Sequence, residues 1–377
     1  MRRTANMPKI KITHLTSVHA RYDTRIFVKE CSSLAKNSHY KVNLIVADGL
    51  GDETKNSVHI IDIGAKQGGR ISRATKTTND IYTKAVELDS DIYHLHDPEL
   101  IRVGLKLKRL GKKVIFDAHE DTPQQLLNHP KFNKFMRLIL SKAFGLYEKF
   151  ALGRFDYIIT ATPYIRDKFT KINKHSIDIN NFPILAELAN DTPWRERRDE
   201  VCYIGGIARI RGIVELTKAM EHTKGVKLNL AGKFVEVHIE NEVKSYSGWS
   251  SVNEYGFVGR QEISDILRRS KAGIVTLHKI PNYKEALPVK MFEYMAAGIP
   301  VIASDIPLWQ NIIDDAKCGI CVDPYNSNEI AKAINYIIAN PKEAEMMGQN
   351  GKKAVSLKYN WAIEEQKLFK VYEELER

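Results

Sequence analysis

The stretch Glu285-Ala-Leu-Pro-Val-Lys-Met-Phe-Glu293, running on through Tyr294-Met-Ala-Ala-Gly-Ile-Pro-Val-Ile-Ala-Ser-Asp305, decides how this chain is read. Its pattern predicts a loop, a short helix and a buried strand. Pro288 suits the first position of that helix, where a missing N–H costs nothing. Val289, Phe292, Met295 and Ala296 recur at helical spacing and form one apolar face. Gly298 closes the helix, and Pro300 keeps it from continuing. The amides of Val289, Lys290 and Met291 then point out of the helix start, where the dipole favours an anion, and Lys290 adds a full positive charge. Carboxylates accept hydrogen bonds and sugar hydroxyls donate them. Glu285 before the helix and Glu293 within it therefore suit hydroxyls on either side of a diphosphate. A capped surface helix with a Glu293–Lys290 pair, worth ~0.2–0.5 kcal/mol, accounts for part of this pattern but leaves Glu285 without a role.

Outward from this stretch, strand and helix patterns alternate. Ile10–Leu15, Lys41–Val46, Ile92–Leu95, Lys113–Phe116 and Tyr157–Thr160 read as strands, with helical patterns over Thr24–Lys36, Asn79–Leu88 and Pro98–Leu110. A second run of strands takes in Val201–Ile204, Val226–Ala231, Gly273–Leu277, Pro300–Ala303 and Gly319–Val322. This alternation predicts an α/β fold with two doubly wound, Rossmann-like parallel sheets. A chain of 377 residues is also too long for one ordinary core. The polar, proline-bearing stretch between the runs, Asn181 to Asp199, reads as a linker. The expected domains are residues 1–185 and 186–359. Sheets of this kind bind ligands at the carboxyl ends of their strands, so a cleft between the domains is the expected site.

A net charge of +11, with basic residues crowding the first half, suits anionic partners. Nucleic acid is set aside, because no recognisable reading motif or set of interleaved aromatics accompanies the charge. No apolar run approaches the roughly 18–20 residues of a membrane span. The segment Met1 to Lys9 has basic residues without a following apolar core, so no signal peptide is read and a cytoplasmic protein is expected. Phe132 to Phe144 mixes basic and apolar residues, as does a helix lying on an anionic membrane or one packed on its own sheet. Four cysteines make no disulfide framework. Cys318 and Cys321 read as a turn entering a strand rather than as half of a metal site.

Several polar residues fall at predicted strand ends. In Thr16-Ser-Val-His19-Ala-Arg21-Tyr-Asp23-Thr-Arg25, Asp23 suits a helix cap, and the segment reads either as a plain capped loop or as one whose His19, Arg21 and Arg25 crowd the cleft. His94 and His96 alternate onto one face, with Asp97 following. Joined by His119, the histidines would suit a metal hydrolase, although no metal is expected. His119 reads either as a cleft residue or as a structural histidine. Asp89-Ser-Asp91 precedes its strand and reads as a solvated turn. In the second half, Gly205-Gly206 ends a strand and lets backbone approach a phosphate. Arg209 and Arg211 supply charge for a diphosphate, and Gly232-Lys233 adds another contact. The spacing is not GxGxxG, which argues against a dinucleotide. Tyr255 to Gly259 reads either as a pocket for a base or as a plain turn.

Together these segments resemble retaining GT-B glycosyltransferases of family 4, the "group 1" transferases, in the branch that builds bacterial surface polysaccharides. The E-x7-E spacing of Glu285 and Glu293 carries the resemblance most specifically. Thr16 to Arg25, His94 to Pro98, Phe116 to Glu120, Tyr203 to Gly206 with Arg211-Gly212, and Leu287 to Asp305 extend it over nearly the whole chain. The resemblance implies that residues 1–185 bind the acceptor and 186–359 the nucleotide-sugar donor, with residues 360–377 crossing back to the first domain. It places Glu285 on the donor sugar, Glu293 on the ribose and His119 near the reaction centre. Arg211 matches the family's usual phosphate-binding lysine. Lys290, Leu287, Val289, Gly206, Arg209, Gly232, Lys233 and Val258 complete the expected donor site, with His19, Arg21, Arg25, His96 and Asp97 on the acceptor side. Gly206 departs from the family, which usually has an arginine there.

The implied activity is metal-independent, retaining hexosyl transfer (EC 2.4) from a UDP- or GDP-sugar, a substrate rather than a cofactor. The acceptor is a hydroxyl of a glycan or polyprenyl- or lipid-linked sugar in O-antigen, capsule or exopolysaccharide synthesis, at the inner face of the bacterial plasma membrane. A GT-B epimerase or phosphorylase is the alternative.

Overall fold

The computed structural model describes residues 9–66, 73–127, 132–188 and 192–376. The leaderless reading of residues 1–8, Lys131 among the basic residues, and residues 189–191 of the expected linker fall outside this description. The chain divides into two compact units, Met1–Asn181 with Glu364–Arg377, and Phe182–Ile363.

In the first unit the strands are β1 (Ile10–Leu15), β2 (Tyr40–Val46), β3 (Glu53–Lys55), β4 (Val58–Asp62), β5 (Ile92–Leu95), β6 (Lys113–Ala118), β7 (Tyr157–Thr160) and β8 (Ser176–Asp178). They form one sheet in the order β3-β4-β2-β1-β5-β6-β7-β8. Every pair is parallel except β3–β4, a hairpin whose turn places Asn56 and Ser57 at positive φ. The central strands are buried on both faces, as parallel strands covered by helices must be. The sequence pattern did not reveal β3, β4 or β8, which are short and lie toward the sheet's edges.

The first helix opens as a π-helical segment, Thr24–Cys31, and continues to Ala35. Asp23 caps it as expected, its Oδ1 accepting from the amides of Arg25 at 2.8 Å and Ile26 at 3.0 Å. At the other end of the chain the helix Trp361–Leu375 carries Leu368, Val371 and Tyr372 into the first unit's core. Full burial of such side chains contributes about 1.5–3 kcal/mol each. Glu364 adds a polar anchor by accepting from Asn180 N at 2.8 Å.

In the second unit β9 (Glu200–Ile204), β10 (Lys227–Ala231), β11 (Val252–Gly256), β12 (Ala272–Val275), β13 (Val301–Ser304) and β14 (Gly319–Val322) form a fully parallel sheet, in the order β11-β10-β9-β12-β13-β14. Apolar cores lie on both of its faces. The strand order reverses between β9 and β12 here, and between β1 and β5 in the first sheet. Such switch points leave a crevice at the carboxyl ends of the strands, where ligands bind.

Candidate functional site

The turn Gly205–Gly206 leaves β9 at the second sheet's switch point. Gly205 stands at φ +118°, a conformation that side chains oppose. Gly232, at the end of β10, packs so closely that a Cβ there would lie 1.9 Å from the Gly205 carbonyl oxygen. The two glycine turns open a largely apolar cavity of about 560 Å³, lined also by Gly206, Lys233, Phe257 and Val258. Phe257 and Val258 line this cavity from the turn after β11. Tyr255 lies under Arg269 instead.

Two cations reach this turn. Lys290 places Nζ 3.7 Å from the centre of the Tyr203 ring and 3.4 Å from where a Gly205 Cβ would stand. That nitrogen is out of solvent and has no hydrogen-bond partner. Burial, with the nearby Arg211 charge, lowers the Lys290 pKa to about 7, against the opposing pull of Glu293. Arg211 donates from Nη1 to the Gly206 carbonyl at 3.2 Å. A Cβ at position 206 would stand only 3.0 Å from that nitrogen. Glycine here therefore gives Arg211 the space that an arginine at 206 would contest. Among the described residues no carboxylate forms an ion pair with Lys290 or Arg211. Arg209 differs from the expectation: its guanidinium pairs with Glu242, which offsets the charge meant for a diphosphate.

The helix after Glu285 spans Val289–Ala296, with Gly298 just beyond it at φ +69°. Pro288 is its N-cap rather than its first residue, because ψ of 117° keeps it extended. The Met291 amide donates to Pro288 O at 3.0 Å, so two of the three expected amides, Val289 and Lys290, remain in the first turn. Glu293 is buried, and its Oε1 accepts from Arg260 Nη1 at 2.8 Å rather than pairing with Lys290. Arg260 is held in turn by Glu187 at 2.6 Å. Glu285 is exposed in a loop fixed by buried Trp309, whose Nε1 donates to Ala286 O at 2.7 Å. Leu287 packs partly buried against the core, and Val289 is half-buried beside it in sequence. Arg260, Glu187 and Trp309 went unnoticed in the sequence because they lie far along the chain from the residues they hold.

The first sheet's switch point carries a different chemistry. Asp97, after β5, accepts from Thr16 Oγ1 at 2.9 Å and from Ser17 N at 2.6 Å, shaping the loop after β1. His19 lies 3.3 Å from Asp97 and 3.4 Å from Asp23. Burial opposes its charge, but the two carboxylates outweigh burial and raise its pKa to about 10. The His19 ring is 5.1 Å from that of His119, which follows β6 and keeps Nε2 3.0 Å from Asp117. His119 is 20% exposed, so it remains reachable.

Other expectations for this unit are corrected. Arg25 is buried, with Nε and Nη2 each 2.7 Å from Asp117 and Nη1 2.7 Å from Ile179 O. Arg21 is buried against Asp48 and Glu53. Both side chains are saturated by carboxylates supplied from distant strands and loops. His96 shares a face with His94, as alternation required, but both rings are fully buried. Asp89 and Asp91 form the expected turn, with Asp91 accepting from Lys11 N and Asp89 paired with Lys112. In the second unit Cys318, just before β14, and Cys321, within it, are free thiols.

Residues 186–354 match the family described as glycosyl transferases group 1. Among curated proteins, glycogen synthase of Mycobacterium tuberculosis is 19% identical over 300 residues, covering 70% of each chain. Sucrose-phosphate synthase from Thermosynechococcus elongatus superposes with a TM-score of 0.77 at 19% identity, over 97% of this chain and 99% of that one. HepE of Anabaena, solved in complex with UDP and glucose, gives 0.72 at 13% identity, over 97% and 100%. The fold is GT-B. The group 1 match supports nucleotide-sugar glycosyltransfer.

Proposed function

We propose that this chain is a retaining family 4 glycosyltransferase that moves a sugar from a nucleotide-diphosphate sugar to a hydroxyl of a glycan or lipid-linked acceptor in cell-surface polysaccharide synthesis. One observation carries the proposal: Lys290 Nζ is withdrawn from water without a hydrogen-bond partner, beside Arg211 at a glycine turn. A buried, unpaired ammonium is costly, and an anionic ligand resolves that cost. The diphosphate meets these cations and the amides of Val289 and Lys290. Glu293 takes the ribose, with Arg260 fixing its orientation, and Glu285 takes the sugar. The base enters the cavity between the glycine turns and Val258.

During transfer the bond from the anomeric carbon to the phosphate oxygen breaks, and its electron pair stays with the diphosphate. The cations and amides stabilise the charge that develops there, without a metal. The acceptor oxygen bonds to the anomeric carbon on the face the diphosphate leaves, and its proton passes to a phosphate oxygen. His119 acts close to the sugar. This route uses no side-chain nucleophile.

The helix Lys134–Leu152 supports a lipid-linked acceptor used at the cytoplasmic face of a membrane. It leaves Phe135, Leu146 and Phe150 exposed, at 74%, 72% and 54%, among Lys134, Lys142 and Lys149. Apolar anchors among lysines suit an anionic bilayer. No helix among the described residues is long and apolar enough to cross a membrane.

A panel of UDP- and GDP-sugars read by thermal shift tests the donor site. A ligand at 100 times its Kd adds about 2.7 kcal/mol of stability, so binding is plainly visible. Absence of a shift with every nucleotide sugar overturns the donor assignment. The anomeric configuration of the product, read by NMR, tests retention. A rate unchanged by added Mg²⁺ or Mn²⁺ tests metal independence. Sugar isomerised without an acceptor would instead favour an epimerase.

A further inference from the structure

His14, His94, His96 and Glu30 are buried together inside the first unit, and a ligand atom from each lies within 4.8 Å of the others. The topology brings them together. His14 and His94 are register partners on the adjacent strands β1 and β5, His96 follows on the same face as His94, and Glu30 comes from the first helix.

Each imidazole turns one nitrogen to a neighbouring polar side chain and the other toward the middle of the group. Tyr372 Oη lies 2.9 Å from His94 Nδ1 and 3.2 Å from His14 Nε2. Asp117 Oδ2 lies 3.3 Å from His96 Nδ1, an ion-pair contact outside hydrogen-bonding geometry. That leaves His14 Nδ1, His94 Nε2 and His96 Nε2. His94 Nε2 has no hydrogen-bond partner, and His14 Nδ1 and His96 Nε2 share a hydrogen bond of 2.9 Å. Glu30 Oε2 is 3.9 Å from His96 Nε2, and neither oxygen of this buried carboxylate makes a hydrogen bond. Metal-ligating histidines characteristically give their second nitrogen to a carboxylate or another polar group, which fixes the ring. The local charge agrees: two buried carboxylates, Glu30 and Asp117, face one guanidinium, Arg25.

We propose that His14, His94, His96 and Glu30 bind one zinc ion, with Tyr372 and Asp117 holding the rings that ligate it. Three imidazoles and a carboxylate form a four-coordinate set suited to Zn²⁺. All four ligands are protein groups sealed from solvent, so the ion is structural and takes no part in sugar transfer. Because Tyr372 belongs to the final helix, the ion also secures that helix to the first sheet. This inference does not depend on the proposed activity.

The test uses the full-length chain without a histidine tag, produced in zinc-supplemented medium and assayed by plasma mass spectrometry. The expected result is about one zinc per chain, and chelation lowers the Tm by roughly 5 °C or more. Cobalt in place of zinc should give tetrahedral d–d bands without the thiolate charge-transfer absorption that Cys318 or Cys321 would produce. Tyr372→Phe keeps every ligand and the packing, yet should weaken metal binding about 10–100-fold. Glu30→Gln should lower it further. Zinc-free protein whose Tm ignores added zinc overturns the proposal, as does thiolate absorption in the cobalt form. Unaltered metal binding by both variants does the same. Should either variant fail to fold, the cobalt spectrum of the unaltered chain still decides.

Discussion

Arg25 in the first unit and Lys290 in the second are both cations drawn out of water, and they differ in what meets them. Arg25 is saturated: Asp117 takes two of its nitrogens and Ile179 O a third. Lys290 Nζ meets an aromatic face and no acceptor. A saturated buried cation positions structure, whereas an unsaturated one is poised for a ligand. The contrast sorts residues that looked equivalent in the sequence, where both arginines after β1 and the basic residues of the second half pointed toward anions.

The largest expected effect breaks the saturated side. Arg25→Ala leaves Asp117 and Glu30 buried without their guanidinium and should cost about 3–5 kcal/mol of stability, read by urea unfolding. Arg25→Lys should recover little, because an ammonium cannot bridge Asp117 in a bidentate manner and reach Ile179 O as well. Near-native stability of both variants would show that the pairing is dispensable.

On the unsaturated side the cost should move from folding to binding. Arg211→Ala removes a charged donor expected to meet the diphosphate and should weaken nucleotide binding by about 10–100-fold, or 1.5–3 kcal/mol, with little change in Tm. Glu293→Gln should weaken it by a similar or smaller factor, since the amide keeps one acceptor for the ribose. Calorimetric titration with a UDP- or GDP-sugar checks both. A large loss of Tm without loss of affinity would erase the distinction between the two regions.

The same distinction explains what could be read from the chain alone. The βαβ alternation, the helix after Glu285 and its stop at Gly298 are local patterns, and each lies close to its expected place. The two glycine turns were also visible, because glycine at a strand end with basic residues shortly after it is a local cue. Saturation is not local. Nothing near Arg25 indicates that Asp117, 92 positions away, will neutralise it, nor does anything near Arg209 point to Glu242. The His14–Glu30–His94–His96 group was equally hidden: the HxH pair was plain, but His14 looked like one residue of an alternating strand until register placed it beside His94. The β3–β4 hairpin escaped because its first strand, Glu-Thr-Lys, is polar and short.

His19 tests the middle ground, a half-exposed cation between two carboxylates. Its pKa is raised, so its contribution is complete below the unfolded value near 6.5 and disappears as pH climbs through about 10. His19→Gln should therefore cost about 2 kcal/mol at pH 6 and progressively less toward pH 10. Denaturant midpoints of the two proteins across that range provide the check. A gap that does not narrow with rising pH would mean that His19 stabilises by packing rather than by charge.

The sharpest test of Lys290 is the pH dependence of binding. Its pKa is lowered to about 7, so near neutrality part of the population is uncharged. A diphosphate binds the ammonium, and binding must take up a proton wherever the free protein has lost one. Below pH 7 the affinity should be nearly flat. Above it, affinity should fall by up to tenfold per pH unit until the pKa of the bound form is passed, which is about 1.4 kcal/mol per unit. Lys290→Arg stays charged throughout and should flatten that slope even if its absolute affinity is lower. Titrations from pH 6 to pH 9 in buffers of different ionisation enthalpy measure both the slope and the proton taken up. A flat profile for the unaltered chain would place the ammonium outside the diphosphate seat and leave Arg211 as the seat's principal side-chain cation.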